Sequence, residues 1–423
     1  MGWDKKLKYC KALSKSEYQD YVILANVLEG QNVKMTRECF EIIDECISKE
    51  IMVDKFLDGY EEDSKKYLID LFDLLLDRYI VCEENSYAEK EINRLKQIDF
   101  LITSRCNLKC KHCCVDADCE YDEKELSTEQ WKSIVDKIVG LEIDSVTISG
   151  GEPLMRSDLI EIAKYTNQKL NVNLQLMTNG TLITEENVDD LVNVFDSFSV
   201  SLDGADEESC SLIRGQGTFA RAMKGIELLK SRGVDKLSIS LTKVKQNEDK
   251  VDDFKKLAKR LGAFPMVRQF DIVGRAKEFP ELIPSDYEKY FAPALNCEIP
   301  EGGHFHPDNM PKCTSCSAAH RKFCINSDGN MYPCMVLVLP GFELGNALEV
   351  ESIKDYVLSG KIYESKGYGV FRGYHTVHSE KCKDCPAKLF CVSCIYQSYV
   401  MMNREDMCEL CEKKREGLMA VWN

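Results

Sequence analysis

Between Gln97 and Val273 short apolar runs return at regular intervals, with amphipathic stretches between them. QIDFLITS (97–104), SVTIS (145–149), VNLQLMT (172–178), SFSVSL (197–202), KLSISLT (236–242) and MVRQFDIV (266–273) read as strands. Ser127 followed by Gln130 is a capping-box signal for the first intervening helix, and Thr184 and Ser157 are caps for two others. Strands alternating with helices give a parallel sheet with crossover helices. Six such units are fewer than a closed eight-unit barrel needs. The pattern therefore predicts an α/β fold, a partial (β/α)6 barrel with its chemistry on loops at the strand C-terminal ends.

The flanks follow different rules. DYVILANV, the turn LEGQN and VKMT predict two strands, and Thr36 caps a helix from Arg37 to Ser48. Leu68, Leu71, Phe72, Leu75 and Leu76 form one stripe of a later helix, and RYIVCE closes the segment as a short strand. Together these suggest a winged-helix-like α+β domain over 1–90, followed by a charged linker at 83–96. The barrel is expected over 91–280. Beyond it, 281–423 loses the alternation and reads as a small domain organised by metal.

Composition narrows the partners. The chain has 423 residues and a net charge of −16, which repels phosphate backbones, so no nucleic-acid partner is expected. Residues 1–95 carry 21 acidic against 14 basic side chains, so the N-terminal domain suits a basic peptide added to a strand edge better than DNA. No apolar run reaches membrane-spanning length and residues 1–20 hold no secretory core, so the expectation is a cytoplasmic protein with reduced thiols and no membrane partner. There are 21 cysteines: five in 106–119, eleven in 297–411, and Cys10, Cys39, Cys46, Cys82 and Cys210 in isolation. Isolated cysteines read as small apolar core residues; clustered ones are candidate ligands.

Cys106, Cys110 and Cys113 follow the first barrel strand with C-x3-C-x2-C spacing. Three thiolates leave one iron of a four-iron cluster open to a small molecule. A zinc site would need a fourth ligand, for which Cys114 or Cys119 is available. In this order along the chain the segment resembles the radical SAM superfamily, over roughly 97–280. The resemblance implies that Cys106, Cys110 and Cys113 hold a [4Fe–4S] cluster binding S-adenosylmethionine. It places His112 near the adenine and Gly150, Gly151, Glu152 and Pro153 at the methionine ammonium. Thr178 and Asn179 end strand three; Ser201 and Asp203 end strand four, where ribose and carboxylate contacts lie. Arg214 pairs the ligand carboxylate, and Val273 and Gly274 meet the adenine at the end of strand six.

The C-terminal region resembles the SPASM domain. Gly329 to Cys334 fits G-x4-C, and Cys382, Cys385 and Cys391 fit C-x2-C-x5-C, with Cys394 one residue earlier than the pattern. The resemblance implies two auxiliary [4Fe–4S] clusters, making three in all. One is held by Cys382, Cys385, Cys391 and Cys408, with Cys411 as competitor. The other is held by Cys316, Cys334 and Cys394, with Cys313 as possible fourth ligand. Paired zinc sites are the alternative for the C-x2-C pairs. Sulfatase-maturing relatives carry a basic Asp after the G-x4-C cysteine, where this chain has Met335. The whole then resembles peptide maturases with an N-terminal recognition element for a leader peptide, forming a cysteine sulfur-to-carbon thioether with electrons from a flavodoxin or ferredoxin. Carbon–carbon crosslinking by the same machinery and a non-enzymatic metal-binding peptide scaffold are the alternatives.

Overall fold

The computed structural model describes residues 3–83, 95–119, 125–287 and 312–422, so most of the expected linker lies outside it. The described residues pack as two compact units. One falls within Met1–Arg94, Phe291–Ser317 and Phe371–Asn423, the other within Leu95–Tyr290 and Ala318–Val370. The stretch 281–423, expected as one domain, is thus shared between the units.

In the unit containing the N-terminus, β1 (Leu7–Tyr9) pairs antiparallel with β5 (Val81–Glu83). The strands β2 (Leu13–Tyr18), β3 (Tyr21–Asn26) and β4 (Gln31–Thr36) form an antiparallel sheet in that order. Three helices follow: α1 (Arg37–Ser48), α2 (Val53–Leu57) and α3 (Glu62–Asp77). Thr36 caps α1, accepting the Cys39 N–H on its side chain. The expected hairpin is therefore present. Its neighbour β2, LSKSEY, is a polar edge strand with no apolar run to announce it, and the closing strand β5 pairs with β1 instead of the hairpin.

The barrel unit is built on β6 (Gln97–Leu101), α4 (Thr128–Ile138), β7 (Ser145–Ser149), α5 (Leu159–Leu170), β8 (Asn173–Thr178), α6 (Val188–Val194) and β9 (Ser197–Ser201). It continues through α7 (Glu207–Arg214), α8 (Thr218–Ser231), β10 (Leu237–Thr242), α9 (Val251–Leu261) and β11 (Phe264–Arg268). The six strands are parallel and adjacent in chain order. Register puts Phe100, Ile148, Leu176 and Phe198 in one buried row, and Phe100 packs against Trp131 of α4 with ring centroids 5.2 Å apart. Alternate positions are polar: Asp99, Thr147, Gln175 and Ser199. One face is thus apolar under the helices and the other is a polar concave face.

Two features differ from the sequence expectation. The last strand begins earlier and ends at Arg268, not 273. As the sheet's edge it tolerates Pro265 and leaves Phe264 70% exposed, and 269–273 is a loop. The sheet also does not stop at β6. The strand β12 (Lys322–Ile325) lies parallel beside it, and β13 (Asn330–Tyr332) and β14 (Gly345–Asn346) extend it antiparallel. Returning to the first unit, α10 (Ile395–Met402) and α11 (Met407–Leu418) close the chain.

Candidate functional site

The loop after β6 carries the three-cysteine motif, and charged groups fix its base. Glu125 accepts from Thr103 Oγ1 at 2.6 Å and the Ser104 N–H at 2.7 Å. Arg156 donates to the carbonyls of Ile102 and Leu126 at 3.0 and 2.9 Å. The loop closes on itself where Cys106 N–H meets the Asp118 carbonyl. Beside it, Gly150 and Gly151 press against its backbone: a Cβ on Gly151 would lie 2.2 Å from the Arg105 carbonyl, so only glycine fits.

A cavity of about 470 Å³ opens at the C-terminal ends of the strands. Cys106, Cys110, Cys113, His112, Gly150, Gly151, Thr178, Asn179, Ser201 and Arg214 line it, so ten expected site residues converge there. Each ligand thiol accepts a hydrogen bond. Leu108 N–H reaches Cys106 Sγ at 3.4 Å, Ala117 N–H reaches Cys113 Sγ at 3.4 Å, and Arg214 Nη1 reaches Cys110 Sγ at 3.7 Å. Burial, with the neighbouring Glu152, Cys110 and Cys113, pushes the free Cys106 thiol up to about 11 even though the Leu108 N–H favours the thiolate. His112 Nδ1 is buried with no partner among the described residues. The three thiols, the donors already aimed at them and the glycine cradle fit an iron–sulfur cluster with a bound small molecule. Among the described residues no three His, Cys, Asp or Glu side chains close around a single metal ion.

Behind this wall lie the other expected residues. Asp203 is fully buried and sits in left-handed backbone at φ +57°. It joins His112 Nε2 and Arg214 Nε (2.6 Å) and accepts the Thr242 N–H at 2.6 Å. Burial pushes its carboxyl up, but Arg214 and His112 outweigh this and hold it well below the usual range. Glu152 and Pro153 are buried and do not line the cavity. Both Glu152 oxygens are occupied by the protein itself: Thr178 Oγ1 and Asn179 N–H at 2.7 Å, Leu154 N–H at 3.1 Å. Val273 and Gly274 also lie outside the lining; Gly274 packs on the Cys113 and Cys114 carbonyls instead.

The far wall was not legible as a site. Ser240, Thr242, Arg268, Gln269, Asp271 and Met335 face the cavity there. Strand periodicity would have exposed Ser240, Thr242 and Arg268, which share one face with Ser201. Asp271 is the one carboxylate among the described lining residues, and burial raises it to about 6.

In the other unit, Cys382, Cys385, Cys391 and Cys411 gather. Burial pushes Cys382 up to about 12, with the thiols of Cys391, Cys385 and Cys411 adding to it. Cys408, one turn earlier on α11, is exposed. Lys414, buried on the same helix, faces Cys391 and Cys411. Cys313 is a buried thiol donating to the carbonyls of Gln31 and Asn26 at 3.4 and 3.6 Å. Cys316 and Cys394 are half-buried in this unit, and Cys334 is half-buried in the barrel unit.

Comparison with known proteins agrees with this geometry. Residues 100–258 match the Radical SAM superfamily, and 307–386 match SPASM, an iron-sulfur cluster-binding domain. The chain is 30% identical over 264 residues to Mycofactocin maturase MftC of Mycobacterium ulcerans, covering 58% of this chain and 70% of that one. It is 37% identical over 201 residues to AdoMet-dependent heme synthase of Methanosarcina barkeri, covering 47% and 57%. It spans 66% of the MftC protein of Mycolicibacterium smegmatis. Streptococcus suis SuiB bound to S-adenosylmethionine shares the fold at 16% identity, with a TM-score of 0.56 over 94% of this chain and 97% of that one. The chain belongs to the Radical SAM superfamily of enzymes. Its two matched domains imply S-adenosylmethionine and [4Fe–4S] clusters as cofactors. Among the described residues no helix is long and apolar enough to cross a membrane.

Proposed function

We propose that the protein matures a ribosomally made precursor peptide, closing a thioether from a cysteine sulfur to a carbon. The observation that carries this reading is the cavity, where the three hydrogen-bonded thiols share one space with a polar far wall that the cofactor motifs leave unclaimed. Cys106, Cys110 and Cys113 would hold the cluster that, with S-adenosylmethionine, supplies a 5′-deoxyadenosyl radical for hydrogen abstraction. Gly150 and Gly151 let backbone approach the bound methionine, Asn179 and Ser201 offer hydrogen bonds, and Arg214 positions the Cys110 thiolate. Two auxiliary clusters would bring the total to three, one of them on Cys382, Cys385 and Cys391. The burial of Cys411 beside these thiols favours it over Cys408 as the fourth ligand. Cys313, bonded to the Gln31 and Asn26 carbonyls, is left as a core thiol. The electron donor is of flavodoxin or ferredoxin type.

The relative named as an AdoMet-dependent heme synthase favours a second reading, action on a heme precursor. The test offers the reconstituted, reduced protein S-adenosylmethionine with either the Cys-containing peptide encoded beside its gene or Fe-coproporphyrin III. A loss of two hydrogens from the peptide, seen by mass spectrometry, supports the peptide reading. Turnover of the porphyrin alone replaces it. S-Adenosylmethionine cleavage that survives Cys106→Ala defeats both.

A further inference from the structure

Arg275 lies outside the cavity wall, and nothing in the proposed chemistry uses it. Yet it makes four polar contacts to the cluster-binding loop. Its backbone N–H donates to the Cys113 carbonyl at 3.0 Å. Its Nη1 donates to the Cys110 carbonyl at 3.2 Å, and Nη2 reaches the Ala117 carbonyl. Its Nε lies 2.9 Å from Asp116 Oδ1, and the side chain is only 12% exposed. These partners span Cys110 to Ala117, a stretch holding two of the three ligand thiols and neither helix nor strand. Ala117 in turn donates its N–H to Cys113 Sγ, so the fork supports a thiol through one intervening residue.

The neighbours of Arg275 are shaped for this approach. Gly274 has φ +58°, and a Cβ there would lie 2.4 Å from the Cys113 carbonyl and 2.6 Å from that of Cys114. Asp116 takes left-handed backbone at φ +50°, which aspartate tolerates, and its carboxylate pairs with Arg275. The other end of the loop is tied by the Arg105–Asp118 bridge. Elsewhere the turn is held from outside by the Lys111 N–H on the Ile213 carbonyl, by His112 on Asp203 and by Arg214 on the Cys110 thiol, none of which reaches beyond Cys113.

We propose that Arg275 is a positioning residue that holds the cluster loop by its carbonyls. It thereby sets the direction from which Cys110 and Cys113 present their thiolates to the cluster they would hold. The proposal rests on the radical SAM reading of the three cysteines. A guanidinium suits the task because its planar fork addresses several acceptors at once. An ammonium is a point charge and can satisfy only part of the set.

The test uses the full-length holoenzyme, reconstituted without oxygen, with dithionite and S-adenosylmethionine as the only additions. Iron per chain, the change in the reduced enzyme's EPR spectrum on adding S-adenosylmethionine, and 5′-deoxyadenosine formed without peptide are measured. In Arg275→Met the ligand-induced spectral change should broaden or vanish. Deoxyadenosine formation should fall about 10²-fold, the scale of a 1 Å misplacement. Arg275→Lys should fall between, with iron at the parental level. Should Arg275→Met fail to fold, the lysine variant decides the matter. A parental spectrum and rate in whichever variant folds overturns the proposal. A parent enzyme whose spectrum ignores S-adenosylmethionine overturns the underlying reading instead, so the two failures are distinct.

Discussion

At the scale of single residues, the buried Asp203 and the half-buried Asp271 are set oppositely. Asp203 is held ionised by Arg214 and His112 and lies below its usual range despite burial. Its stabilising contribution is therefore fully present above about pH 4 and is lost as pH falls further. Asp203→Asn keeps a side chain that tolerates left-handed backbone but leaves Arg214 buried without its counter-charge. It should cost roughly 3–5 kcal/mol at pH 7. The gap between the unfolding midpoints of parent and variant should narrow progressively as pH falls below 4. Asp271 behaves the other way. Raised by burial from 3.8 to about 6, it prefers the proton in the fold. Its stabilising contribution is complete below about pH 4 and disappears as pH rises through 6. Asp271→Asn should thus be more stable than the parent by roughly 3 kcal/mol at pH 8, at about 1.4 kcal/mol per pKa unit, and equal to it at pH 4. A variant less stable than the parent at pH 8 would contradict this upward shift.

At the scale of elements, the readable parts were those governed by local rules. The capping box at Ser127 is present as expected, the side chain accepting the Gln130 N–H and the Gln130 side chain answering. Ser127→Ala should lower the thermal midpoint by an amount corresponding to about 1 kcal/mol. The caps expected at Thr184 and Ser157 fall instead on Asn187 and Asp158. Asn187 is placed by local bonds with Thr184 and Leu182, whereas Asp158 accepts from Thr128, a partner no local window contains. The five strands from Gln97 to Thr242 were legible because each buries an apolar row. The last was misjudged by overall apolarity: FDIV continues the pattern but leaves the sheet at Arg268, because the edge has no further strand to pair it. The three-cysteine loop could be located by spacing. What holds it, Glu125, Arg156 and Arg275, comes from distant positions. The polar concave face was likewise invisible, since Asp99, Thr147, Gln175 and Ser197 gain meaning only when register lines them up.

At the scale of the molecule, the N-terminal segment is less separable than a linker at 83–96 implies. Strand β3 buries both faces. Val22 and Leu24 enter a core with α1 and α3, including Ile43, Phe72 and Leu75. Ile23, Ala25 and the following Val27 enter a second core with Leu389, Phe390, Leu418, Val421 and Trp422. Ser16 Oγ and Trp422 Nε1 both donate to the Pro386 carbonyl at 3.1 Å, fastening the segment between Cys385 and Cys391 to the hairpin. The proposed peptide-recognition sheet and the proposed auxiliary cluster therefore share a wall. Removing 1–90 would strip that wall, so truncation cannot separate recognition from cluster chemistry. A point change can. Ile23→Ala should cost about 2–5 kcal/mol and raise hydrogen exchange at 387–390 and 418–422, with iron per chain falling. Leu68→Ala, equally deep in the first core, should destabilise by a similar amount without selectively exposing those amides. If the two variants gave the same exchange pattern, the hairpin and the cysteine segment would be two bodies and not one.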